Sequence, residues 1–506
     1  MRLPSWSAAA PRRPREAVIL GAAIALTALG LGIVLGFAGP LITVGALLAL
    51  GIAVWALTSL EVGLWGAIGI ITLLPFATLP FKLVFTPTFL DLALGGSFLV
   101  YVMQWMIGRR YKLALTPAHA LIALFFALAI FSFAAGLPNG PLTTNLLRQF
   151  AELLLNIALC FVIVDYADDW RKLGRLARVI LIGGTLAAAL GIALYLVPAA
   201  LANRALSALS VFGYPAGDVL RYIEDNPANA QRAIGTAVDP NFFGGLLAMI
   251  GALLAPQLLT RRPLLRWRGV SLAAFGLILG CLLLTYSRGA MVGLAIGIVG
   301  NALLRYRRLL VLIAAAAALV LILPVTRDYV GHFVQGVQGQ DLATQMRFGE
   351  YKDALTLIQR YPLLGVGFAG APEIDIYLGV SSAYLLMAEQ MGLIGLVVFL
   401  ATMAVVFGWS FAQRHALYAM AARGPEGPGR LALWLGLHAG LAAALVVGVV
   451  DHYFFELSFQ PAGSIFWIFV GLCLAATRLG LEGSRNVAPD AALPPPSVVD
   501  VLQTNL

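Results

Sequence analysis

The chain has 506 residues, of which 60% are hydrophobic and only 11% are charged. This composition excludes an ordinary soluble domain of the same length and is typical of a bundle of membrane-spanning helices. The formal net charge of +9 is compatible with nucleic-acid binding, but its distribution along the chain indicates a membrane topology instead. The three cysteines all lie in apolar runs, so neither a disulfide framework nor a cysteine-rich metal site is expected.

A helix needs about 20 mostly apolar residues to cross the hydrocarbon core of a bilayer. On this criterion the sequence predicts an all-α integral membrane protein with about 14 transmembrane helices, and two very short breaks leave twelve or thirteen open. The first apolar run follows a basic segment, as in a signal peptide, but its length indicates an uncleaved first helix. The predicted spans are residues 17–37, 41–60, 62–80, 90–107, 117–136, 146–165, 176–197, 238–259, 269–286, 289–304, 308–324, 382–411, 431–450 and 462–480.

The distribution of Lys and Arg orients these spans. With the amino terminus inside, most of the 33 Lys and Arg residues fall in segments on the inner side. Basic residues concentrate on the cytoplasmic side, so both termini are predicted to be cytoplasmic and the protein to lie in the cytoplasmic (inner) membrane. The predicted organisation is a cytoplasmic amino terminus at 1–16, amino-terminal transmembrane helices at 17–197, a region with two large outer loops at 198–481, and a disordered cytoplasmic tail at 482–506.

Two long segments lie on the predicted outer side, one at 198–237 and one, between the eleventh and twelfth helices, at 325–381. Loops of this length are usually functional. The second is predicted to contain an amphipathic helix that rests on the membrane–water interface and ends at Pro362. Arg347 is predicted to lie away from the apolar face of this helix. That face is predicted to be formed by Phe348, Tyr351, Leu355 and Ile358.

Arg232, Arg288 and Arg347 lie on this outer side, where few basic residues are expected. Two explanations remain open: surface charges that snorkel or pair with carboxylates, or a site for an extracytoplasmic anion. Several guanidiniums that converge on one site suit a pyrophosphate, because each can bind phosphate oxygens bidentately. Asp239, which precedes Pro240, either caps the eighth helix or marks a helix start that joins Arg232 in binding the anion.

Three residues are candidates for a catalytic base, and the sequence does not decide among them. Asp239 begins the eighth helix, Glu389 is an ionisable group inside the twelfth, and His452 lies between carboxylates at the outer end of the thirteenth. His438 stands alone in an apolar helix and is interpreted as a packing or hydrogen-bonding residue. No motif of a metalloprotease, an ATPase or a hydrolase nucleophile is present.

The chain resembles the O-antigen ligase/polymerase superfamily of bacterial envelopes over residues 232–471, nearly half of its length. The resemblance depends on five segments in a fixed order around the large outer loop. They are R-x-x-G-x-x-x-D-P-N at 232–241, L-T-Y-S-R-G at 284–289, R-F-G-E-Y-K-D-A-L-T-L-I-Q-R-Y-P-L-L-G-V-G at 347–367, Y-L-L-M-A-E-Q-M-G-L-I-G at 384–395 and V-V-D-H-Y-F-F at 449–455.

The resemblance implies a multi-spanning glycosyltransferase of the GT-C type. Such an enzyme takes a glycan from an undecaprenyl-diphosphate carrier on the outer leaflet and passes it to lipid A–core, as a ligase, or to another lipid-linked glycan, as a polymerase. Arg232, Arg288 and Arg347 match basic positions of the family, which implies that they bind the diphosphate and stabilise it as leaving group without a metal ion or other cofactor. The implied partners are the lipid-linked donor, the acceptor and membrane lipids, with no nucleic acid.

One position departs from the family pattern. Ligases of the family usually carry a His about three residues before Tyr384, and here Ser381 stands at that place. The resemblance therefore carries over no base, and it favours a polymerase somewhat over a ligase. The alternative function is an anion transporter of the bicarbonate type, because some relatives of the superfamily bear that label. A transporter should hold its charges near the bilayer midplane, whereas the three arginines are predicted near the outer surface.

Overall fold

The computed structural model describes residues 57–82, 84–109, 113–322, 342–370, 380–422 and 424–485, together with residues 51 and 55. Within these ranges the chain is mostly helical. The helices are α1 (Leu60–Leu73), α2 (Phe89–Met106), α3 (His119–Gly136), α4 (Thr144–Tyr166), α5 (Trp170–Leu196), α6 (Ala199–Ser207), α7 (Pro240–Leu254), α8 (Arg268–Leu284), α9 (Arg288–Leu304), α10 (Arg308–Ile322), α11 (Leu342–Arg360), α12 (Ala383–Ala412), α13 (Arg414–Ala421), α14 (Gly427–Val450) and α15 (Gln460–Arg485). A short antiparallel ladder pairs β1 (Arg221–Tyr222) with β2 (Gln231–Arg232).

Eight helices in the described ranges are long and apolar enough to cross a membrane. They are Phe89–Met106, His119–Asn139, Thr144–Tyr166, Trp170–Leu196, Pro240–Leu258, Ala383–Ala412, Gly427–Val450 and Leu457–Gly483. Four more predicted spans correspond to the shorter helices α1, α8, α9 and α10. The predicted spans at 17–37 and, for most of its length, 41–60 lie outside the described residues. The all-α membrane class is confirmed, and the total of 14 spans stays a prediction.

The predicted span at 62–80 is too long. Helix α1 ends at Leu73, and the residues that follow form a loop in which the Thr78 N–H donates to the Phe212 carbonyl at 2.8 Å. Pro75 explains the early end, because it lacks an N–H and disfavours helical geometry at the residue before it. The predicted start of the tail at 482 is also early, since α15 continues through Arg485. Residues 486–506 lie outside the described ranges.

The predicted amphipathic helix is present as α11, but its faces were assigned wrongly. Phe348 and Leu355 are 60% and 49% exposed, whereas Ala354 and Ile358 are buried. A helix turns by about 100° per residue, so Arg347 lies on the same side as Ile358 and not opposite to it. Arg347 therefore faces the helix bundle, while the exposed aromatic and aliphatic side chains face away from it.

Helices α9 and α14 run antiparallel and approach each other closely. Three glycines of α9 allow this approach. A Cβ at Gly289 would lie 2.6 Å from the Val450 side chain. A Cβ at Gly293 or Gly297 would lie 2.8 Å from a backbone carbonyl of α14. This stripe of three glycines is therefore a structural packing surface. We call the end of the bundle that carries Arg288 and Val450 the arginine end, and the end that carries Leu304 and Gly427 the opposite end.

A buried ring of hydrogen bonds joins α12, α14 and α15. His438 contacts the Trp434 carbonyl through Nδ1 and the Ser410 hydroxyl through Nε2, both at 2.8 Å. Ser410 contacts Thr477 at 2.8 Å, and Trp434 Nε1 donates to the Thr477 hydroxyl at 3.0 Å. When His438 Nδ1 carries the proton, it donates to the Trp434 carbonyl, and Nε2 accepts from the Ser410 hydroxyl. Each hydrogen bond of the ring then has one donor and one acceptor. The prediction that His438 is a packing and hydrogen-bonding residue is confirmed.

We expect Gly293→Val to lower the free energy of unfolding by about 1–3 kcal/mol, because the new side chain would meet the Ala443 carbonyl, which belongs to a rigid helix backbone. Gly300→Ala on the same helix is the control, since a Cβ there meets nothing within 4 Å. Tryptophan fluorescence during denaturation of the detergent-purified protein measures both. Equal stability of the two variants would contradict the packing role of Gly293.

Candidate functional site

A polar pocket opens at the arginine end, between the starts of α7 and α9 and the end of α14. Its empty volume is about 530 Å³. The pocket is lined by Ile223, Glu224, Arg232, Asn241, Tyr286, Ser287, Arg288, Gly289, Arg347 and Asp451. The three arginines singled out in the sequence thus line one pocket, although they come from three separate segments. We call it the arginine pocket.

Arg232 is fixed between two helix ends. Its Nε donates to the Thr285 carbonyl at 2.8 Å, at the end of α8, and its Nη2 donates to Asn241 Oδ1 at 2.5 Å, at the start of α7. The neighbouring Ala233 N–H donates to the Leu284 carbonyl at 2.8 Å, which joins β2 to the same helix end. These bonds fix the plane of the guanidinium at the wall of the pocket.

The start of α9 forms a second wall. Ser287, Arg288 and Gly289 all line the pocket, and the Ser287 side chain makes no capping hydrogen bond. The first N–H groups of a helix have no partner within the helix, and the positive end of its dipole lies there. The start of α9 thus adds to the attraction that the arginines exert on an anion.

Arg347 reaches the pocket because α11 is tied to the start of α12. Glu350 accepts the Ser381 N–H at 2.9 Å, and the Tyr351 hydroxyl donates to the Ser381 carbonyl at 3.0 Å. The Ala383 N–H in turn donates to the Asp451 carbonyl at 2.9 Å. Arg347 lies one turn before Glu350 on α11, so this chain of contacts brings it to the side of the pocket where Asp451 lies.

Backbone strain is concentrated around the arginine pocket. In the described ranges, the non-glycine residues with positive φ are Glu224, Asp225, Val238 and Tyr286. Two of these four line the pocket, and Val238 immediately precedes the cap of α7. A β-branched residue in this conformation is an outlier, and such strain costs about 1–3 kcal/mol for each residue. Strain of this size is typical of functional sites, where the surrounding structure holds it in place.

Asp451, only 5% exposed, is the buried carboxyl group of the pocket. Burial raises its pKa to about 7, although the charges of His452 and Arg347 act in the opposite direction. A carboxyl group of this kind accepts a proton near neutral pH. The sequence contains the signal, since Asp451 directly follows a membrane helix and lies beside His452, the residue predicted as a base.

The charges of the pocket favour an anionic ligand. Burial lowers the pKa of Arg232, and the nearby Arg347 lowers it further, although Asp239, Tyr453 and Asp451 raise it. Burying a guanidinium beside another one costs free energy unless negative charge compensates for it. A bound anion would supply that charge from inside the pocket.

An apolar cavity adjoins the arginine pocket. Its empty volume is about 390 Å³, and α7, α14 and α15 enclose it with side chains such as Leu246, Met249, Val447 and Ile465. Asp451 lines both spaces. A polar site and a hydrocarbon-lined site therefore lie side by side at the arginine end.

Residues 273–400 match the family model for O-antigen ligase. The chain contains an O-antigen ligase family domain. The matched segment includes Arg288 and Arg347 and leaves Arg232 and Asp451 outside. No curated protein matches the chain. The family resemblance predicted from the sequence is confirmed, and the protein is a multi-pass membrane protein of the glycan-transferring kind to which ligases and polymerases belong. The comparison gives no support to the anion-transporter alternative.

Asp239, predicted as a base of this ligase-family protein, is engaged elsewhere. Its Oδ1 accepts the Asn241 and Phe242 N–H groups at 2.8 and 2.7 Å, so it caps α7. It also forms a hydrogen bond with the buried Tyr453 hydroxyl. The prediction of a helix cap is confirmed. The Asp239 carboxylate itself occupies the start of α7, which was the alternative place for a bound anion. Asp239 is not among the residues that line the pocket.

The other two predicted bases do not line the pocket either. His452 Nε2 lies 2.6 Å from Glu456, and burial lowers the His452 pKa less than the nearby Glu456, Asp451 and Asp239 raise it. The raised pKa favours the protonated form of His452, which cannot accept a further proton. Glu389 lies in α12, close enough to Asp353 for the two carboxyl groups to interact. A catalytic role for either residue stays a prediction.

We expect inorganic pyrophosphate to bind more weakly as the pH rises through about 7, because Asp451 then becomes a carboxylate inside the pocket. The affinity for pyrophosphate should fall by about tenfold in total for each unit by which the bound anion raises the Asp451 pKa, because proton binding and anion binding are linked. Isothermal titration calorimetry of the detergent-purified protein measures it. The Asp451→Asn variant corrects for the ionisation of pyrophosphate itself. The same pH dependence in both proteins would contradict the assignment.

Proposed function

We propose that this protein transfers a glycan from an undecaprenyl-diphosphate carrier to an acceptor at the extracytoplasmic face of the inner membrane, with Arg232, Arg288 and Arg347 binding the diphosphate. The observation that carries the proposal is the convergence of these three arginines on one pocket. The ligase-family match supports the kind of reaction, and the excess of basic residues in the predicted inner segments supports the orientation.

The apolar cavity supports a lipid-linked donor rather than a soluble nucleotide sugar. A prenyl diphosphate joins a doubly charged group to a long hydrocarbon chain, so its site needs a cationic part beside an apolar one. The arginine pocket and the apolar cavity provide both and meet at Asp451. The first isoprene units would occupy the cavity while the diphosphate lies among the guanidiniums.

The reaction itself is a displacement at the anomeric carbon of the donor. A hydroxyl oxygen of the acceptor forms the new bond, the bond from the anomeric carbon to the diphosphate oxygen breaks, and the electron pair leaves with undecaprenyl diphosphate. The guanidiniums and the start of α9 stabilise this growing negative charge, in the manner of an oxyanion hole. Three fixed cations provide the charge that a divalent metal ion would otherwise supply.

Asp451 is the group that takes the proton of the acceptor hydroxyl in this proposal. It lines the pocket between the arginines and the apolar cavity, and a carboxyl group with a pKa of about 7 is divided between its two protonation states at neutral pH. It accepts the proton as the new bond forms and returns it to water afterwards. In its ionised form it also repels the product diphosphate.

The acceptor in this proposal is another lipid-linked glycan, as in a polymerase. Ser381, which stands where family ligases carry a His, is held by α11 through its backbone, and its side chain is not part of the pocket lining. A serine is a poor base, so a ligase that uses a base at this position would need another residue, such as the family His, in place of Ser381. Lipid A–core thus remains the second choice of acceptor.

We expect Arg288→Gln and Arg347→Gln each to reduce glycan polymer by about 10²–10³-fold, because each removes a donor aimed at the leaving group. The variants are expressed in the native strain after deletion of its own copy, and polymer is measured on gels. Arg221→Gln is the matched control, since it removes the same charge from an outer segment at a half-exposed residue paired with Asp225. Normal polymer in both pocket variants, at normal membrane insertion, would sink the proposal.

We expect Asp451→Asn to lower turnover by about 10²–10⁴-fold while pyrophosphate binding at pH 8 becomes tighter, because the variant loses the proton acceptor and also the repelling charge. A lipid-linked donor and acceptor in detergent allow kcat and KM to be measured separately. Weaker pyrophosphate binding together with unchanged kcat would show that Asp451 only positions the arginines.

A further inference from the structure

A second cavity lies at the opposite end of the bundle, between α9, α12 and α14. Its empty volume is about 540 Å³, and its walls are mostly apolar, with Leu304, Phe407, Phe411 and Leu435 among them. Two of these helices, α12 and α14, are long and apolar enough to cross a membrane, so the groove would open toward lipid. We call it the opposite-end groove.

One polar group in the groove lacks a partner. Asn301, 2% exposed, lines the groove, and its Nδ2 donor has no hydrogen-bond acceptor in the protein. The neighbouring His438 and Ser410 satisfy each other in the buried ring. A buried amide without an acceptor costs free energy, so an acceptor from a bound molecule would stabilise this site.

The mouth of the groove is basic. Arg414 lies over the ring of Phe411 at 4.1 Å, and Arg305 follows Leu304, so each arginine is adjacent to a residue of the groove wall. The Tyr418 hydroxyl donates to the Leu304 carbonyl at 3.2 Å and joins the two sides of the mouth. Arg305 and Arg414 both lie near enough to Tyr418 to lower its pKa, although burial raises it more.

We propose that the opposite-end groove binds an anionic glycerophospholipid. One acyl chain would fill the apolar groove, an ester carbonyl would accept from Asn301 Nδ2, and the phosphate would lie between Arg305 and Arg414. The order of these three features along the groove matches the order of chain, ester and phosphate in such a lipid. The site is separate from the arginine pocket and does not depend on the proposed glycan transfer.

The test uses native mass spectrometry of the full-length protein in detergent with added dioleoylphosphatidylglycerol, cardiolipin or dioleoylphosphatidylcholine. Phosphatidylglycerol should bind about tenfold or more tightly than phosphatidylcholine, because the choline cation of phosphatidylcholine repels the arginines and offsets the attraction of its phosphate. A comparison of the first two lipids shows whether the site takes one phosphate or two. Equal binding of phosphatidylcholine would overturn the anionic preference and the proposal with it.

Variants separate this site from the lipid that surrounds any membrane protein. Gly300→Phe places a bulky side chain at the groove wall, where a Cβ meets nothing within 4 Å, and it should abolish the tight binding event. Gly276→Phe is the matched control, since Gly276 is equally open but lies on α8 outside the groove. Asn301→Leu should weaken phosphatidylglycerol binding without unfolding the protein. Tight binding retained in both groove variants would refute the site.

Discussion

The close approach of α9 and α14 is the constraint on which the functional end of this protein depends. Three glycines allow the two helix backbones to meet, and the two helices are antiparallel. The start of one and the end of the other therefore meet at the same place. Arg288 and Asp451 are brought together there by backbone packing alone, before any contact between their side chains is made. Larger residues in the stripe would separate the cation from the carboxyl group even if both were retained.

Burial makes the charged states of the residues in the arginine pocket costly, and opposite charges in the pocket reduce that cost. Asp451 is buried and Arg232 is partly buried, and the charge of Asp451 makes the charged state of Arg232 less costly. Arg347 reaches the pocket through contacts of α11 with Ser381 that do not involve its guanidinium. Among the described residues, three arginines line the pocket with only two carboxyl groups, Glu224 and Asp451, and this balance favours a negatively charged partner that arrives from outside.

Much of this structure was accessible from the sequence. Predicted spans such as 90–107 and 289–304 agree with α2 and α9 within one residue, because apolar length alone determines them. The three arginines were found through the charge rule, which needs no tertiary contact. Asp451 was not singled out from the sequence, because a carboxylate at a helix end is common. Its role depends on cations from other segments, and the sequence does not show that they lie beside it. The face of α11 was misassigned because exposed apolar side chains facing lipid and buried ones facing protein look alike in a sequence.

The strained turns before α7 and α9 limit which substitutions the protein can accept there. Val238 and Tyr286 each adopt a left-handed backbone, and each immediately precedes the cap of a helix whose start lies at the pocket, Asp239 for α7 and Ser287 for α9. Replacement by glycine would relax either turn, so selection for thermal tolerance would favour such changes. Selection for activity would oppose them, because the same turns aim both helix starts at one point. Stability and the aim of the two helix starts thus place opposite demands on Val238 and Tyr286.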